Sequence, residues 1–257
     1  MTSTVITALY DIGRDKNGDG RTIEQYLNWF AKTLQLNVPM VVYTEEKFKD
    51  FVCKTKHNNL KVIVKPLSEI PYYKYNDKIL SILNDKEYRS KVVDPNRVEC
   101  NLSLYNIIQY SKFEWITEAI QEKYFNTDYY FWMDAGCSRF FQDVEPHNVW
   151  PSNYNLLAKD KFNIQGNLNT LHYRISDIEN YIWDSNCILV GTLFGGSKDV
   201  CINMANMVKM HFELYLNNNI INNEQIILGY IFKKNPELFN VFIKLNGQHL
   251  PFFKELA

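Results

Sequence analysis

The chain has 257 residues, with 28 Lys and Arg against 29 Asp and Glu and a formal net charge of −1. That length suits one domain with a large core, and 46% hydrophobic with 22% charged residues excludes disorder as the general state. A near-neutral balance supplies no field for nucleic acid or an anionic membrane, so an anionic ligand must be held by a few placed cations.

In chain order, residues 5–10 form a β-rich run that ends in a polar, Gly-containing turn over 11–20. Residues 22–36 place Ile23, Tyr26, Leu27, Phe30 and Leu34 on one side at helical spacing. A second strand over 39–43 is followed by Thr44, which suits an N-cap of a helix reaching Cys53. Val62, Ile63 and Val64 mark a third strand. Strand, helix, strand, helix, strand in this order predicts an α/β fold built on a parallel sheet. The charged, Tyr-rich stretch 66–98 reads as short helices and loops. A long helix is predicted over 102–124, then a nearly all-aromatic strand over 128–133 that runs into Asp134-Ala135-Gly136. Later elements are expected at 168–175, 186–194, 199–216 and 223–235, with a strand-like run at 241–245. No repeat, linker or domain boundary interrupts the chain.

The N-terminal stretch has no basic region and too short an apolar run for a signal peptide. No stretch approaches the roughly 18 uninterrupted apolar residues of a membrane helix. The five cysteines are scattered and never spaced CxxC, the pattern of reduced thiols rather than of disulfides or a zinc site. These features predict a cytoplasmic protein.

Several constellations bear on chemistry. Asp134, at the end of a buried strand, is placed at the carboxyl edge of a parallel sheet, where α/β proteins bind ligands. A hard divalent cation bridging that carboxylate to a diphosphate would fit, and the plain alternative is an Asp capping a strand-to-turn junction. Asp15, Asn17, Asp19 and Gly20 match positions 1, 3, 5 and 6 of a calcium loop, but Tyr26 stands where the bidentate Glu belongs, so a polar turn is the alternative there. Gly195-Gly196 reads as a turn between strand and helix that lets a ligand approach the backbone, with Ser197 able to cap the helix that follows. Asn222-Asn223-Glu224-Gln225 opens the last long helix, whose free N–H groups suit an anionic or hydroxyl-rich ligand or simply a cap. His249, on a polar loop after the last strand, is a candidate imidazole ligand, and His147 has no assignable place. P-loop and dinucleotide fingerprints, a nucleophile elbow and HExxH are absent from the sequence. The aromatic excess of 17 Tyr and 16 Phe would suit sugar binding. Without a basic groove it does not suit single-stranded nucleic acid.

Taken together, TALYDIGR, PMVVYT, WMDAGCSRFF, GGSKD and NNEQIIL resemble the HtrL/YibB-like family, which includes the WlaTC-type proteins, over nearly the whole chain. The resemblance implies a GT-A-like α/β domain over 1–257, a Rossmann-type mixed sheet flanked by helices, with a nucleotide half of about 1–136 and an acceptor half of about 137–257. It implies a glycosyltransferase that moves a sugar from a nucleotide-sugar, with UDP-sugar the expected donor, to a glycan, a lipid-linked glycan or another hydroxyl acceptor. Such an enzyme would be cytoplasmic or peripheral to a membrane where glycans are assembled. By position, Thr7, Ala8, Tyr10 and Asp11 would line the base and ribose. Arg14 and Lys112 would meet phosphate, while Gly136, Asn223 and Gln225 would join the donor site. Gly195 and Gly196 would shape the sugar or acceptor pocket. Asp134 would take the metal-binding place with His249 as second ligand, for Mn²⁺ or Mg²⁺, and Glu224 would bind sugar hydroxyls or act as base. The usual DxD pair is broken by Gly136, which opens a metal-independent route with Arg14 and Lys112 neutralising the diphosphate. A nucleotidyltransferase and a non-catalytic glycan- or nucleotide-binding protein are the alternatives.

Overall fold

The apolar runs of the sequence become the strands of one sheet. The computed structural model describes residues 1–55, 58–141, 149–167, 178–243 and 250–257. Within them β1 (Ser3–Leu9), β2 (Met40–Thr44), β3 (Leu60–Val64), β4 (Tyr129–Met133), β5 (Phe162–Gly166), β6 (Leu189–Ser197) and β7 (Phe239–Ile243) lie in the order β3-β2-β1-β4-β6-β5-β7. β1 pairs in parallel with β2 and β4, and β2 with β3. β6 runs antiparallel to both of its neighbours, and β5 pairs in parallel with β7. The expected α/β class, a mixed sheet flanked by helices, is the one observed.

The helices are α1 (Arg14–Asn17), α2 (Ile23–Thr33), α3 (Glu46–Thr55), α4 (Asn76–Leu83), α5 (Lys86–Lys91), α6 (Ser103–Gln121), α7 (Lys198–Asn217), α8 (Glu224–Lys234) and α9 (Pro251–Leu256). Alternation along the strands splits the core into two layers, because successive side chains leave a strand on opposite faces. On β4, Tyr130 and Trp132 join Ile6, Ile107, Phe212 and Ile226 on the face covered by α4 to α8. Tyr129, Phe131 and Met133 join Val5, Phe30, Phe48 and Phe252 on the face covered by α2, α3 and α9. Much of the aromatic excess is this packing. Trp115 stacks on Tyr10, Tyr43 and Trp132, with ring centroids 5.8, 5.4 and 5.8 Å away.

The local signals hold in most places and fail in a few. Thr22 caps α2 through a capping box with Gln25. Thr44 does not cap a helix: it is the last residue of β2, and its hydroxyl donates to the Leu9 carbonyl at 2.9 Å, so α3 starts two residues later. The Gly195-Gly196 pair is not a turn. Both lie inside β6, opposite Phe131 and Tyr130 of β4. A Cβ on Gly195 would fall 2.1 Å from the Tyr130 carbonyl oxygen, so glycine is what lets the antiparallel strand lie against its bulky neighbour. Ser197 occupies the N-cap of α7 without a side-chain capping bond. The element expected at 168–175 and the histidines 57, 147, 172 and 249 lie outside the described residues.

Gly195→Ala is expected to cost about 2 kcal/mol of stability or more, as overpacking a tight core does. Urea denaturation reads this directly, and a cost near zero would mean that β4 and β6 separate without penalty.

Candidate functional site

The sheet sets where a ligand can sit. From β1 the chain proceeds outward through β2 to β3, then crosses back to place β4 on the other side of β1. The carboxyl ends of β1 and β4 therefore diverge into a crevice, the topological switch point at which open α/β sheets bind ligands. A pocket opens there. Its floor and walls come from residues 8–12 at the end of β1 and just beyond it, Asp134 to Gly136 after β4, Gly191 and Thr192 of β6, α6, and the first turn of α8.

Its inner wall is organised by a buried ammonium. Lys112, on α6, is 1% exposed and Glu224, at the first turn of α8, is 0% exposed. Lys112 Nζ lies 2.9 Å from Glu224 Oε1, 3.1 Å from Asp134 Oδ1 and 3.0 Å from the Gly191 carbonyl oxygen. An ammonium has three N–H donors, and all three are engaged. Burial on its own would lower the Lys112 pKa; Asp134 and Glu224 more than offset it, and the group stays charged. Burial raises the Glu224 carboxyl, Lys112 opposes this, and Asp134 adds to it, leaving Glu224 at about 7. Glu224 Oε2 is buried with no partner among the described residues. Asp134 is aimed by the Trp132 indole N–H, which donates to Oδ1 at 2.7 Å. Gly191 is fixed between these groups: its N–H donates to Gln225 Oε1 at 3.1 Å, and a Cβ would fall 2.2 Å from Glu224 Oε1.

The outer rim carries guanidinium groups. Arg14 forks onto both Asp19 oxygens at 2.7 and 2.9 Å, donates to the Tyr26 hydroxyl, and lies 4.8 Å over the Tyr105 ring. Arg21 reaches the same Asp19 carboxylate at 3.3 Å. Arg139 lies over the Trp29 ring at 4.6 Å and donates from Nε to the Gly136 carbonyl at 2.9 Å. Asp11 accepts from the Gly13 N–H and pairs with Lys47 at 3.2 Å.

The structure brings together Ala8, Tyr10, Asp11, Arg14, Lys112, Asp134, Gly136, Glu224 and Gln225 around this pocket. Others expected in it stand apart. Thr7 is buried within β1 with its hydroxyl unpartnered among the described residues, and it does not line the pocket. Asn223 caps α8, accepting from Ile226 N and donating to Glu99 Oε1. Gly195 and Gly196 lie further along β6, away from the lining. Asp19, the fifth position of the calcium loop expected to begin at Asp15, has its carboxylate taken by Arg14 and Arg21. The sequence reading missed Tyr26, Tyr105, Trp132, Arg139 and Gly191. Gly191 carried a signal, a lone glycine inside an apolar strand, which marks a close approach. Arg139 carried none, since one arginine in a short irregular segment resembles any surface arginine.

The raised Glu224 pKa means that the folded chain holds a proton which the unfolded chain releases. Its contribution to stability therefore falls as pH rises from about 4.5 to about 7 and is level above that. Glu224→Gln should remove this slope, measured by denaturation at a series of pH values. Lys112→Met should cost about 3–5 kcal/mol, because it leaves the buried Glu224 carboxylate uncompensated. Adding Glu224→Gln to Lys112→Met should return part of that loss.

Comparison with known proteins places the chain. It is 20% identical over 276 aligned positions to Protein HtrL of Escherichia coli (strain K12), covering 98% of this chain and 92% of that protein. Among solved structures it is similar to apo mouse xyloside xylosyltransferase 1, at 10% identity and a TM-score of 0.43, covering 94% of this chain and 85% of that one. A family model described as "Bacterial protein of unknown function (HtrL_YibB)" matches residues 1–257, and the chain belongs to that family.

Proposed function

We propose that the protein is a glycosyltransferase that takes a sugar from a nucleotide-sugar, with UDP-sugar as the donor, and passes it to a hydroxyl of a glycan or lipid-linked glycan. The observation that carries this reading is the crevice at the β1/β4 switch point. Into it open parts of the two most specific segments of the sequence resemblance, Ala8 to Ile12 with Arg14, and Asp134 to Gly136, with carboxylates on the inner wall and guanidiniums on the rim. On this reading residues 1–136 bind the nucleotide and 137–257 receive the acceptor.

The reaction breaks the bond between the anomeric carbon and the phosphate oxygen, which keeps the electron pair, and joins that carbon to the acceptor oxygen. Negative charge grows on the departing diphosphate, and preorganised cations lower the barrier by stabilising it. If transfer inverts the anomeric centre, the acceptor proton goes to Glu224, whose pKa of about 7 suits a base near neutral pH. A retaining transfer needs no protein base on that face.

The donor set limits how a metal would be held. No group of three His, Cys, Asp or Glu side chains is placed to bind an ion among the described residues. Asp134 Oδ1 is engaged by Trp132 and Lys112, while Oδ2 has no partner there. A second carboxylate at position 136 is disfavoured, because a Cβ there would fall 3.3 Å from Trp29 and 3.4 Å from Arg139. These residues fit an ion shared between one carboxylate and donor phosphates, the usual mode for Mg²⁺, rather than one caged by protein ligands. Mn²⁺ or Mg²⁺ held in that way would offset charge on the leaving diphosphate. The missing second carboxylate also favours, as a second reading, a nucleotide- or glycan-binding protein that does not catalyse transfer.

No described helix is long and apolar enough to cross a membrane.

A thermal-shift screen of nucleoside diphosphates and nucleotide-sugars, with and without Mn²⁺, tests the proposal, since a ligand that binds only the folded state raises Tm. A shift is expected with uridine compounds, larger with Mn²⁺, and Asp134→Ala should erase the Mn²⁺ increment. No shift with any nucleotide would overturn the reading. Binding without any release of sugar from the donor would favour the non-catalytic one.

A further inference from the structure

The two cations expected to neutralise a diphosphate are both satisfied internally. Lys112 has given its three donors to Glu224, Asp134 and Gly191. Arg14 is forked onto Asp19 and bonded to Tyr26. Arg139 differs. It lines the same pocket, rests on the Trp29 and Phe140 rings at 4.6 and 5.0 Å, and is tethered through Nε to the Gly136 carbonyl. Both of its terminal nitrogens lack a partner, and it forms no ion pair among the described residues.

Its surroundings sharpen the point. Three guanidiniums, Arg14, Arg21 and Arg139, line the pocket, and the ion pairs they make go to one carboxylate, Asp19. Asp15, on the same loop, is exposed and pairs with none of them among the described residues. Burial lowers the Arg139 pKa, and the charges of Arg21 and Arg14 lower it further, so the protein holds a partly desolvated cation beside like charges. A planar guanidinium fixed by stacking and by its Nε presents its remaining N–H groups as a fork, the geometry that grips phosphate oxygens in pairs.

We infer that Arg139, with Arg21 beside it, is the anchor for the diphosphate of the ligand, while Lys112 serves as the internal counter-ion of Asp134 and Glu224. The inference rests on the nucleotide-sugar reading for the identity of the ligand, but its anion chemistry can be tested separately.

Isothermal titration in EDTA, with inorganic pyrophosphate and UDP as probes, tests it on wild type, Arg139→Gln and Arg139→Lys. Wild type should bind both probes. Arg139→Gln should weaken both by about ten- to a hundredfold, the worth of one or two charge-assisted hydrogen bonds. Arg139→Lys, which keeps the charge and loses the fork, should fall between the two. Wild-type affinity in Arg139→Gln, or no pyrophosphate binding by wild type, overturns the inference. So does equal weakening by Gln and Lys, which would mark Arg139 as a packing residue against Trp29. Pyrophosphate held through Arg139 while UDP binds no more tightly than pyrophosphate would support the anchor and overturn the nucleotide reading instead.

Discussion

The buried ammonium of Lys112 is the constraint on which the rest of the site depends. It ties α6 to the loop after β4, to β6 and to the start of α8 through three short contacts, each from a different element. A buried ion pair adds little net stability compared with well-packed apolar groups, because desolvation cancels much of the attraction. What it imposes is position: displacing any one of these elements would leave a charge without a partner in a place that water does not reach. The site is thereby held by its own charges.

The charges are sorted by depth. At the inner wall one cation faces two carboxylates, leaving the acidic side in slight excess, with Glu224 close to protonation near neutral pH. At the rim the excess is basic, since Arg14 and Arg21 share Asp19 and Arg139 makes no ion pair among the described residues. A polarised crevice of this kind suits a ligand with an anionic part and a hydroxyl-rich part, oriented so that the anion faces outward and the hydroxyls face the carboxylates. The division follows the fold, because α6 and α8, together with Asp134 directly after β4, deliver the inner residues. The loops after β1 and β4 deliver the rim.

Close packing fixes the rest. Gly191 and Gly195 lie four residues apart on β6 and serve different purposes. At Gly195 the absent side chain lets β4 and β6 pair against the Tyr130 carbonyl, while at Gly191 it leaves the space that Glu224 fills. The first maintains the sheet, and the second shapes the pocket. A run of aromatic rings from Tyr10 through Trp115 to Trp132 then backs the inner wall, and the last of these orients Asp134 by its indole N–H.

By itself the sequence determined the elements and the carboxyl edge. Short continuous apolar runs marked β1 to β4, helical spacing marked α2, longer helical stretches marked α6, α7 and α8, and the position of Asp134 after an aromatic strand placed it at the ligand edge. All of these are short-range patterns, set by which face of an element must be buried. Only tertiary structure decided that Gly195 and Gly196 pack within a strand. It also decided that Lys112 and Glu224, 112 positions apart, meet inside the protein, and that Arg139 has no counter-ion among the described residues. Those facts depend on which elements become neighbours and on where each charge finds a partner, and neither is encoded in the local spacing of residues.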